Sequence, residues 1–491
     1  MKAKEKRADY LAPPDAENVG WVRPQAVTHQ HESRILPEGW EWSTLGDVSE
    51  KPQYGWTTKA NRDTGRLKLL RTTDITSGTV DWSSVPFCTE EPEDVEKYLV
   101  ESGDILISRA GSVGVSFLIN KPERAVFASY LIRFRPKNGI DTKYFYYYLK
   151  SPAYWEAIGA SKSGIAVPNV NASRLAQVPI PIAPLVQQKR IVAEIEKQFS
   201  RLDEAVANLK RVKANLKRYK AAVLKAAVEG SLVETEAELA RREGRSYEIG
   251  AQLLQRILET RRSQWKGKGK YKEPTAPDTI DLPKLPEGWV WATFEQLSSE
   301  LMNGYGKRSQ VEGQPRIVLR LADISDGEIS YADVRRINCT DEETGKYALA
   351  QNDLLILRVN GSPELVGRFV LVRSTNEDTL FCDHFIRVRC AMTDLSSWLK
   401  LYADSERFRR YIDLNKVSSA GQNTISQGTL LPHAVPLPPA REQQNIVTEI
   451  DRCFSLADEA EAQVNANLQR AERLRQTILQ ESFRGGGKPN G

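Results

Sequence analysis

Two short stretches of this sequence combine aromatic and cationic side chains in a loop that contains glycine. The first reads Tyr54-Gly55-Trp56-Thr57-Thr58-Lys59, and the second reads Asn303-Gly304-Tyr305-Gly306-Lys307-Arg308. Polar and cationic loop residues of this kind contact phosphates and bases in proteins that bind nucleic acids. An ordinary solvated turn is the alternative for each loop, because Lys and Arg are common on protein surfaces.

Four further loops carry polar groups that suit base edges or phosphate. Arg109-Ala110-Gly111-Ser112 and Arg358-Val359-Asn360-Gly361-Ser362 each follow an apolar run that is typical of a buried strand. Arg pairs naturally with guanine in the major groove, and Asn pairs with adenine. The other two loops are Ser161-Lys162-Ser163-Gly164 and Ser418-Ser419-Ala420-Gly421-Gln422-Asn423. The candidate DNA-binding residues are therefore Tyr54, Trp56, Lys59, Arg109, Ser112, Lys162, Ser163, Tyr305, Lys307, Arg308, Arg358, Asn360, Gln422 and Asn423.

Two arginines alternate with apolar residues in Ile132-Arg133-Phe134-Arg135. Alternation with a period of two predicts a strand with both arginines on one face. That face either meets DNA or pairs with carboxylates such as Asp104.

The motifs of common enzymes that act on nucleic acids are missing. No Gly-Lys pair is followed by Ser or Thr, so a phosphate-binding loop for ATP is not expected. The Pro-Asp pairs lack the acidic-x-Lys of a common nuclease signature, and no Asn/Asp-Pro-Pro-aromatic tetrapeptide of an amino-methyltransferase occurs. The histidines are His29, His31, His384 and His433, and they suggest no catalytic triad. We therefore predict no catalytic residue.

The five cysteines, Cys88, Cys339, Cys382, Cys390 and Cys453, are scattered and odd in number, which argues against a disulfide framework. Cys382, His384 and Cys390 are close enough in sequence for a metal site to be considered. A zinc site usually needs four ligands with paired short spacings, so we interpret these residues as structural and predict no metal.

The overall composition permits a nucleic-acid partner without establishing one. The chain has 491 residues, a net charge of +5 and a pI of about 8.7, which is mildly basic. It contains no run of 18 apolar residues and no signal-peptide pattern, so we expect a cytoplasmic protein without a membrane partner.

The elements that position these loops are duplicated. Leu36-Pro37-Glu38-Gly39-Trp40-Glu41-Trp42 returns 249 residues later as Leu285-Pro286-Glu287-Gly288-Trp289-Val290-Trp291, and Asp104–Arg109 returns as Asp353–Arg358. After Arg358 the spacing grows by five residues, so that Ile132-Arg133-Phe134-Arg135 matches Ile386-Arg387-Val388-Arg389. Duplicated modules gain affinity for a split target when a spacer holds them at the right separation.

Each copy is predicted to be a mixed α/β globule that is mainly β. Short strands are expected at Leu67–Thr73, Asp104–Ser108, Val113–Ile119 and Tyr130–Phe134, with counterparts at Arg316–Leu321, Asp353–Leu357 and Phe369–Val372. Thr142–Ile158 and Ser396–Ile412 are expected to be helical, the first interrupted at Ser151-Pro152.

A long helix is predicted after each copy, beyond a proline-rich exit. In the first helix Ile195, Leu202, Leu209, Leu216 and Val223 recur every seven residues, with Ala205, Val212, Tyr219 and Ala226 three residues after members of that row. In the second, Ile450, Ala457, Val464, Ala471 and Ile478 form the matching row. Such helices must bury their stripe, so we predict that they form an antiparallel coiled coil about 60 Å long. Packing of each helix on its own domain is the alternative.

In order, these features resemble the specificity subunit of type I restriction–modification enzymes. The resemblance rests on the duplicated Pro-Glu-Gly-Trp start, the proline-rich exit and the motif Gln188-Lys189-Arg190-Ile191-Val192-Ala193-Glu194-Ile195, repeated as Gln443-Gln444-Asn445-Ile446-Val447-Thr448-Glu449-Ile450. It implies a pseudo-twofold fold of two β-rich α/β target-recognition domains separated by a two-helix coiled coil. It also implies that each domain reads one half of a bipartite site in double-stranded DNA.

The resemblance further implies partners. Two methyltransferase subunits would dock on the helices, and two ATP-driven translocase–nuclease subunits would join them. S-adenosylmethionine, ATP and Mg would then be bound by the partner subunits and none by this chain. A protein-binding scaffold with duplicated domains, a subunit of a methylation-only system and a fused enzyme remain as alternatives.

The resemblance and the residue patterns together give these boundaries. We expect an N-terminal arm at 1–35, target-recognition domains at 36–185 and 285–440, and long helices at 186–232 and 441–484. A helical segment with a flexible linker is expected at 233–284, and a tail at 485–491.

Overall fold

The structure is a computed structural model that describes residues 36–159, 169–265, 269–309, 311–375 and 377–484. By its internal contacts the chain divides into two compact units. Unit 1 comprises Met1–Asn208 and Asn467–Gly491, and unit 2 comprises Leu209–Ala466. Each unit contains one copy of the sequence repeat.

Unit 1 is built from short strands and short helices that precede a long helix. Its strands are β1 (Glu41–Thr44), β2 (Gln53–Tyr54), β3 (Ala60–Asn61), β4 (Lys68–Leu70), β5 (Phe87–Cys88), β6 (Ile105–Ser108), β7 (Ser116–Leu118), β8 (Ala125–Phe127), β9 (Leu131–Phe134) and β10 (Pro179–Ile182). Its helices are α1 (Thr72–Ile75), α2 (Val95–Tyr98), α3 (Thr142–Tyr148), α4 (Pro152–Ala157), α5 (Ala172–Ala176) and the first part of α6 (Leu185–Val228).

Two four-stranded sheets form the body of unit 1, with orders β2-β9-β6-β7 and β3-β5-β4-β8. Strand β6 is apolar and buried along its length, and it pairs antiparallel with β9 so that Ile105 opposes Phe134. Strands β1 and β10 pair separately and bring the two ends of the domain together. The break predicted at Ser151-Pro152 is confirmed, since Ser151 caps α4 and Pro152 is its first residue.

Unit 2 repeats this plan after two connecting helices, α7 (Glu236–Glu243) and α8 (Gly250–Ser263). Its strands are β11 (Val290–Thr293), β12 (Ser298–Asn303), β13 (Gln314–Leu319), β14 (Ile324–Ser325), β15 (Glu328–Ile329), β16 (Arg336–Cys339), β17 (Leu354–Leu357), β18 (Val359–Asn360), β19 (Phe369–Leu371), β20 (Thr379–Phe381), β21 (Phe385–Cys390), β22 (Val417–Ser419), β23 (Gln422–Thr424) and β24 (Ala434–Leu437). Its helices are α9 (Phe294–Leu297), a 3-10 helix (Leu321–Asp323), α10 (Asp341–Tyr347), α11 (Leu395–Ala403), α12 (Glu406–Asn415), α13 (Gln427–Leu430) and most of α14 (Ala440–Ser482).

The sheets of unit 2 correspond to those of unit 1. The order β12-β21-β17-β19 matches β2-β9-β6-β7, and β16-β13-β20 matches β5-β4-β8. Unit 2 also contains a three-stranded sheet, β18-β23-β22, whose hairpin turns through Ala420 and Gly421. Both turn residues have positive φ, as a two-residue turn of type I′ requires. The predicted fold class, β-rich α/β domains with long helices, is confirmed.

The long helices α6 and α14 pack against each other in both units. In unit 2, Lys213 pairs with Glu461 and Lys220 pairs with Asp458, so partner numbers fall as those of α6 rise. In unit 1, Arg475 pairs with Asp203 and lies over the ring of Phe199. The helices are therefore antiparallel, as predicted.

The predicted apolar rows of the helices are only partly correct. Ile450, Ala457, Val464, Ala471 and Ile478 are all buried, which confirms the row on α14. On α6 the row from Ile195 to Val223 is buried or half-buried, but Ala205, Val212 and Tyr219 are exposed. The second contact row of α6 instead lies four residues after members of the first, at Phe199, Val206, Lys213, Lys220 and Ala227. Two of these residues, Lys213 and Lys220, make ion pairs with α14.

Within the described part of the chain, no helix is both long and apolar enough to cross a membrane.

Candidate nucleic-acid interface

Four segments of unit 1 converge around the loop between β8 and β9. Trp56 donates its backbone N–H to the carbonyl of Phe127 (2.8 Å), and Ser129 donates to the carbonyl of Trp56 (2.9 Å). Arg109 donates its backbone N–H to the carbonyl of Tyr130 (2.9 Å). The carbonyl of Arg109 in turn accepts from Val170 (3.0 Å). These bonds hold the end of β2, the loop after β6, the β8–β9 loop and the approach to α5 together.

The polar side chains of this cluster are ordered by one another. The guanidinium carbon of Arg109 lies 5.0 Å from the ring centroid of Tyr54, a cation–π arrangement, and its Nε donates to Asn169 (3.5 Å). The hydroxyl of Tyr54 accepts from the backbone N–H of Ala172 (2.9 Å). Tyr130 projects from the loop tip with 62% of its surface exposed. An arginine fork and an exposed ring therefore lie at one surface, which suits contact with bases or phosphate.

Unit 2 repeats this hydrogen-bond frame bond for bond. Tyr305 donates its backbone N–H to Phe381 (2.7 Å), Asp383 donates to Tyr305 (3.1 Å), and Arg358 donates to His384 (2.7 Å). The carbonyl of Arg358 accepts from Ile425 (3.0 Å), as that of its counterpart in unit 1 accepts from Val170. The two units share one backbone frame for their loops.

Glycine permits the closest approach in this frame. A Cβ atom at Gly55 would lie 2.2 Å from the carbonyl oxygen of Phe127, and one at Gly304 would lie 2.1 Å from that of Cys382. No side chain fits at such distances, so glycine is required at both positions for the β2 and β12 ends to contact the β8–β9 and β20–β21 loops.

The tips of the two frames differ in chemistry. Ser129 and Tyr130 in unit 1 correspond to Asp383 and His384 in unit 2. The carboxylate of Asp383 pairs with Arg308 (3.0 Å), and the ring Nδ1 of His384 lies 3.5 Å from the same carboxylate. The DNA contacts predicted from the sequence do not include these tip residues. They could have been found by comparing the two copies of the repeat. Ser129-Tyr130 and Asp383-His384 differ between the copies, whereas the strand that follows, Ile132–Arg135 in unit 1, matches Ile386–Arg389 in unit 2.

The polar loop of unit 2 is fixed by its own hydrogen bonds. Asn360 accepts from the backbone N–H of Ser362 through its side-chain oxygen (2.9 Å). Asn423 accepts from the hydroxyl of Ser418 (2.6 Å) and donates to the carbonyl of Gly361 (3.1 Å). Both predicted asparagines therefore order the β18-β23-β22 sheet, while Gln422 is exposed beside them.

The remaining predicted residues fall into different environments. Lys59 and Ser112 are exposed, and Trp56 is half-buried with its indole N–H donated to the carbonyl of Glu90 (2.9 Å). Lys307 is exposed and pairs with Glu343 (2.7 Å). Lys162 and Ser163 lie outside the described residues.

The prediction for Tyr305 is wrong. Its side chain is 2% exposed and packs against the ring of Tyr347, with centroids 5.5 Å apart. Burial raises the pKa of its phenol. The residue lies in a bridge beside β20, and its ring points into the core instead of standing in an open loop.

The arginines of the alternating strand pair with carboxylates, which decides between the two interpretations. Arg133 and Arg135 both reach Asp104, at 3.3 and 2.6 Å. In unit 2, Arg387 reaches Glu300 (2.9 Å) and Arg389 reaches Asp353 (3.1 Å). Burial lowers the pKa of Arg133 and of Arg387. These arginines are therefore paired with carboxylates within the sheet that supports the loops.

Three adjacent side chains in the β20–β21 loop could hold a cation by distance alone. The ligand atoms of Cys382, Asp383 and His384 lie within 4.8 Å of one another, whereas Cys390 accepts from the hydroxyl of Ser396 instead (3.3 Å). Burial raises the pKa of the Cys382 thiol, which disfavours the thiolate that a metal needs. Arginines line the same surface and oppose a further cation.

Comparison with known proteins gives one consistent result. Residues 37–218 match the family model described as the type I restriction modification DNA specificity domain. The chain is 29% identical over 462 residues to the StySPI specificity subunit of Salmonella potsdam, covering 92% of this chain and 89% of that protein. It is 26% identical to the EcoKI specificity subunit of Escherichia coli K12, with the same coverage.

Solved structures share the fold. A chain from a structure of a type I R-M system aligns with a TM-score of 0.62 at 19% identity, covering 92% of this chain and 99% of that one. The HsdS subunit from Thermoanaerobacter tengcongensis aligns with a TM-score of 0.52 at 18% identity, covering 93% and 99%.

Proposed function

Because the chain belongs to the family of type I restriction–modification DNA specificity subunits, we propose that each unit reads one half of a bipartite DNA site through its loop cluster. The observation that carries this proposal is the repeated backbone frame with different tips, Ser129-Tyr130 in unit 1 and Asp383-His384 in unit 2. A common frame offers both tips to DNA in the same way, and different side chains then select different bases.

The subunit reads DNA and leaves the chemistry to its partners. It binds no cofactor itself, while S-adenosylmethionine serves methyltransferase subunits, and ATP and Mg serve translocase–nuclease subunits. The α6–α14 pair docks the two methyltransferase subunits. Exposed apolar side chains on these helices in unit 2, Val212, Tyr219 and Leu456, support a protein partner there.

Domain exchange tests the proposal directly. Replacing residues 43–179 with the corresponding domain of another specificity subunit should change one half of the target and leave the other half intact. The assay is sequencing of methyladenine in DNA modified by the complex with its methyltransferase subunits. If both halves changed, or neither, the independent reading by two units would be wrong.

Binding measurements separate the proposal from a protein-binding scaffold. The complex should bind its split target more tightly than a random duplex, and its affinity should fall steeply as salt rises, because phosphate contacts release counterions. Equal affinity for random duplexes would contradict the proposal. DNA cleavage by the complete complex would show that the nuclease subunits take part, whereas modification alone would identify a methylation-only system.

A further inference from the structure

Unit 2 contains a cleft of about 390 Å³ that is lined by three arginines. Arg308, Arg320 and Arg335 meet there with His384, over a surface formed by Leu321, Ala322 and Cys382. The cleft adjoins the β20–β21 tip, so it belongs to the surface that we propose to face DNA. Positive charge gathered in a concave surface attracts anionic ligands.

Two of the three arginines have a carboxylate partner, and among the described residues the third has none. Arg308 pairs with Asp383 (3.0 Å), and Arg320 pairs with Asp323 (2.7 Å). The Nε and Nη2 atoms of Arg335 are shielded from solvent, and neither makes a hydrogen bond within the described residues. Desolvating donors of a charged group without a partner is costly, so this guanidinium is prepared for an acceptor that the chain itself does not supply.

The third arginine is an addition to the shared scaffold. In unit 1 its place is taken by Pro86, because the carbonyl of Pro86 accepts from Leu69 (2.7 Å) just as that of Arg335 accepts from Val318 (3.0 Å). Unit 1 also has Tyr130 in place of His384. The shared scaffold therefore does not itself require an arginine at position 335 or a histidine at position 384.

We propose that this cleft binds a phosphate group of the DNA backbone, with Arg335 as its principal ligand, and this rests on the proposed function. Arg308 and Arg320 are already paired with carboxylates, so the guanidinium of Arg335 is the group that lacks a counter-charge, and a phosphate oxyanion supplies both the charge and the hydrogen-bond acceptors. The contact would fix the register of unit 2 on the duplex, and the neighbouring Asp383-His384 tip would then read bases.

The experiment uses the complete complex with its methyltransferase subunits and a duplex that carries its methylation target. Affinity is measured between 50 and 200 mM salt, about the range in which phosphate contacts are diagnostic, for wild type and for Arg335→Gln. Arg336→Gln is the matched control, because Arg336 is the next residue and its pairing with Glu377 (2.5 Å) is solvent-exposed. A set of duplexes, each with one phosphate replaced by a neutral methylphosphonate, locates the contact.

Arg335→Gln should weaken binding about tenfold and reduce the slope of log affinity against log salt by about 0.9. One methylphosphonate should cause the same loss in wild type and no further loss in Arg335→Gln. Arg336→Gln should behave as wild type. Arg335→Lys, which keeps the charge but not the fork, should retain the slope and provides a second variant should the Gln variant fail to fold.

Several results would overturn the assignment. Wild-type affinity and slope in Arg335→Gln, or additive losses at every methylphosphonate position, would leave the cleft without a phosphate. If the loss of affinity in Arg335→Gln disappeared when one base pair was changed, and not when one phosphate was replaced, the residue would contact a base instead of a phosphate. If the wild-type complex failed to distinguish its target from random DNA, the proposed function itself would fail, and the cleft assignment with it.

Discussion

Replacing Gly304 by alanine should damage the loop frame of unit 2 and its reading of DNA. The added Cβ would lie 2.1 Å from the carbonyl oxygen of Cys382, where ordinary contacts begin at 3.4 Å. The two segments must separate by about 1 Å, and the obstacle is backbone, which cannot rotate away as a side chain could. Three hydrogen bonds cross this contact, those donated by the backbone N–H groups of Gly304 (3.2 Å), Tyr305 (2.7 Å) and Asp383 (3.1 Å).

The expected cost follows from these bonds. Each contributes about 1 kcal/mol to the free energy of unfolding, and the lower entropy of the unfolded alanine chain returns roughly 0.4–1 kcal/mol. The net loss is therefore about 2 kcal/mol. For a unit of this size that corresponds to a fall of roughly 4–8 °C in the melting temperature of unit 2.

Two assays check the prediction, with Gly306→Ala as the control. At Gly306 the nearest atom to an added Cβ is an oxygen of the Asp383 side chain at 3.9 Å, so that variant should melt as wild type does. Calorimetry measures stability, and competition binding with base-substituted duplexes measures discrimination. Gly304→Ala should lose discrimination in one half of the target only, and Gly55→Ala should lose it in the other. Wild-type stability and discrimination in Gly304→Ala would refute the requirement for close approach.

Three further predictions concern the tip, a buried histidine and the helix seam. Exchanging the tip by Ser129→Asp with Tyr130→His should alter the bases read in one half of the target, as seen by methyladenine sequencing, and leave the melting temperature within a few degrees, because the frame uses backbone groups. Burial lowers the pKa of His433 to about 3. As the pH falls, the unfolded chain therefore protonates this histidine before the folded chain does. The free energy of unfolding of unit 2 should decrease by up to about 1.4 kcal/mol per pH unit below about 6.5. His433→Phe should remove this part of the acid sensitivity in unfolding measurements. Ile450→Ala, at a buried seam position, should cost about 2–4 kcal/mol, whereas Leu456→Ala, at an exposed position, should cost less than about 0.5.

The architecture could be predicted from the sequence because it depends on local patterns that occur twice. Apolar runs such as Asp104–Ser108 form the central strands, and the Ser151-Pro152 pair ends one helix and caps the next. The second contact row of α6 could not be found in this way. Lys213 and Lys220 occupy it, and they become contact residues only through the carboxylates that α14 places opposite them. A search for apolar residues therefore selected Val212 and Tyr219, which are exposed.

The site was predictable as a set of loops but not as individual contacts. Arg109 and Arg358 were identified by their position after a buried strand, and the structure brings each beside a loop tip. Trp56 and Tyr305 occupy equivalent positions, yet the first is half-buried and the second is buried. Each ring packs on a tyrosine distant in sequence, Trp56 on Tyr98 and Tyr305 on Tyr347, with centroids 5.5 Å apart in both units. Sequence spacing alone does not place these neighbours beside them.

The separation of frame from tip explains how a protein of this kind could acquire a new target without losing its fold. The bonds that hold the loops are made by backbone groups and by two glycines, so they do not depend on which side chains occupy the tips. The arginines of the sheet that supports the loops are compensated internally by Asp104, Glu300 and Asp353. Substitutions at the tips therefore cost little folding free energy while changing the hydrogen-bond pattern offered to base edges. Specificity can then change in one half-site at a time, since the hydrogen bonds that hold each set of loops lie within one unit.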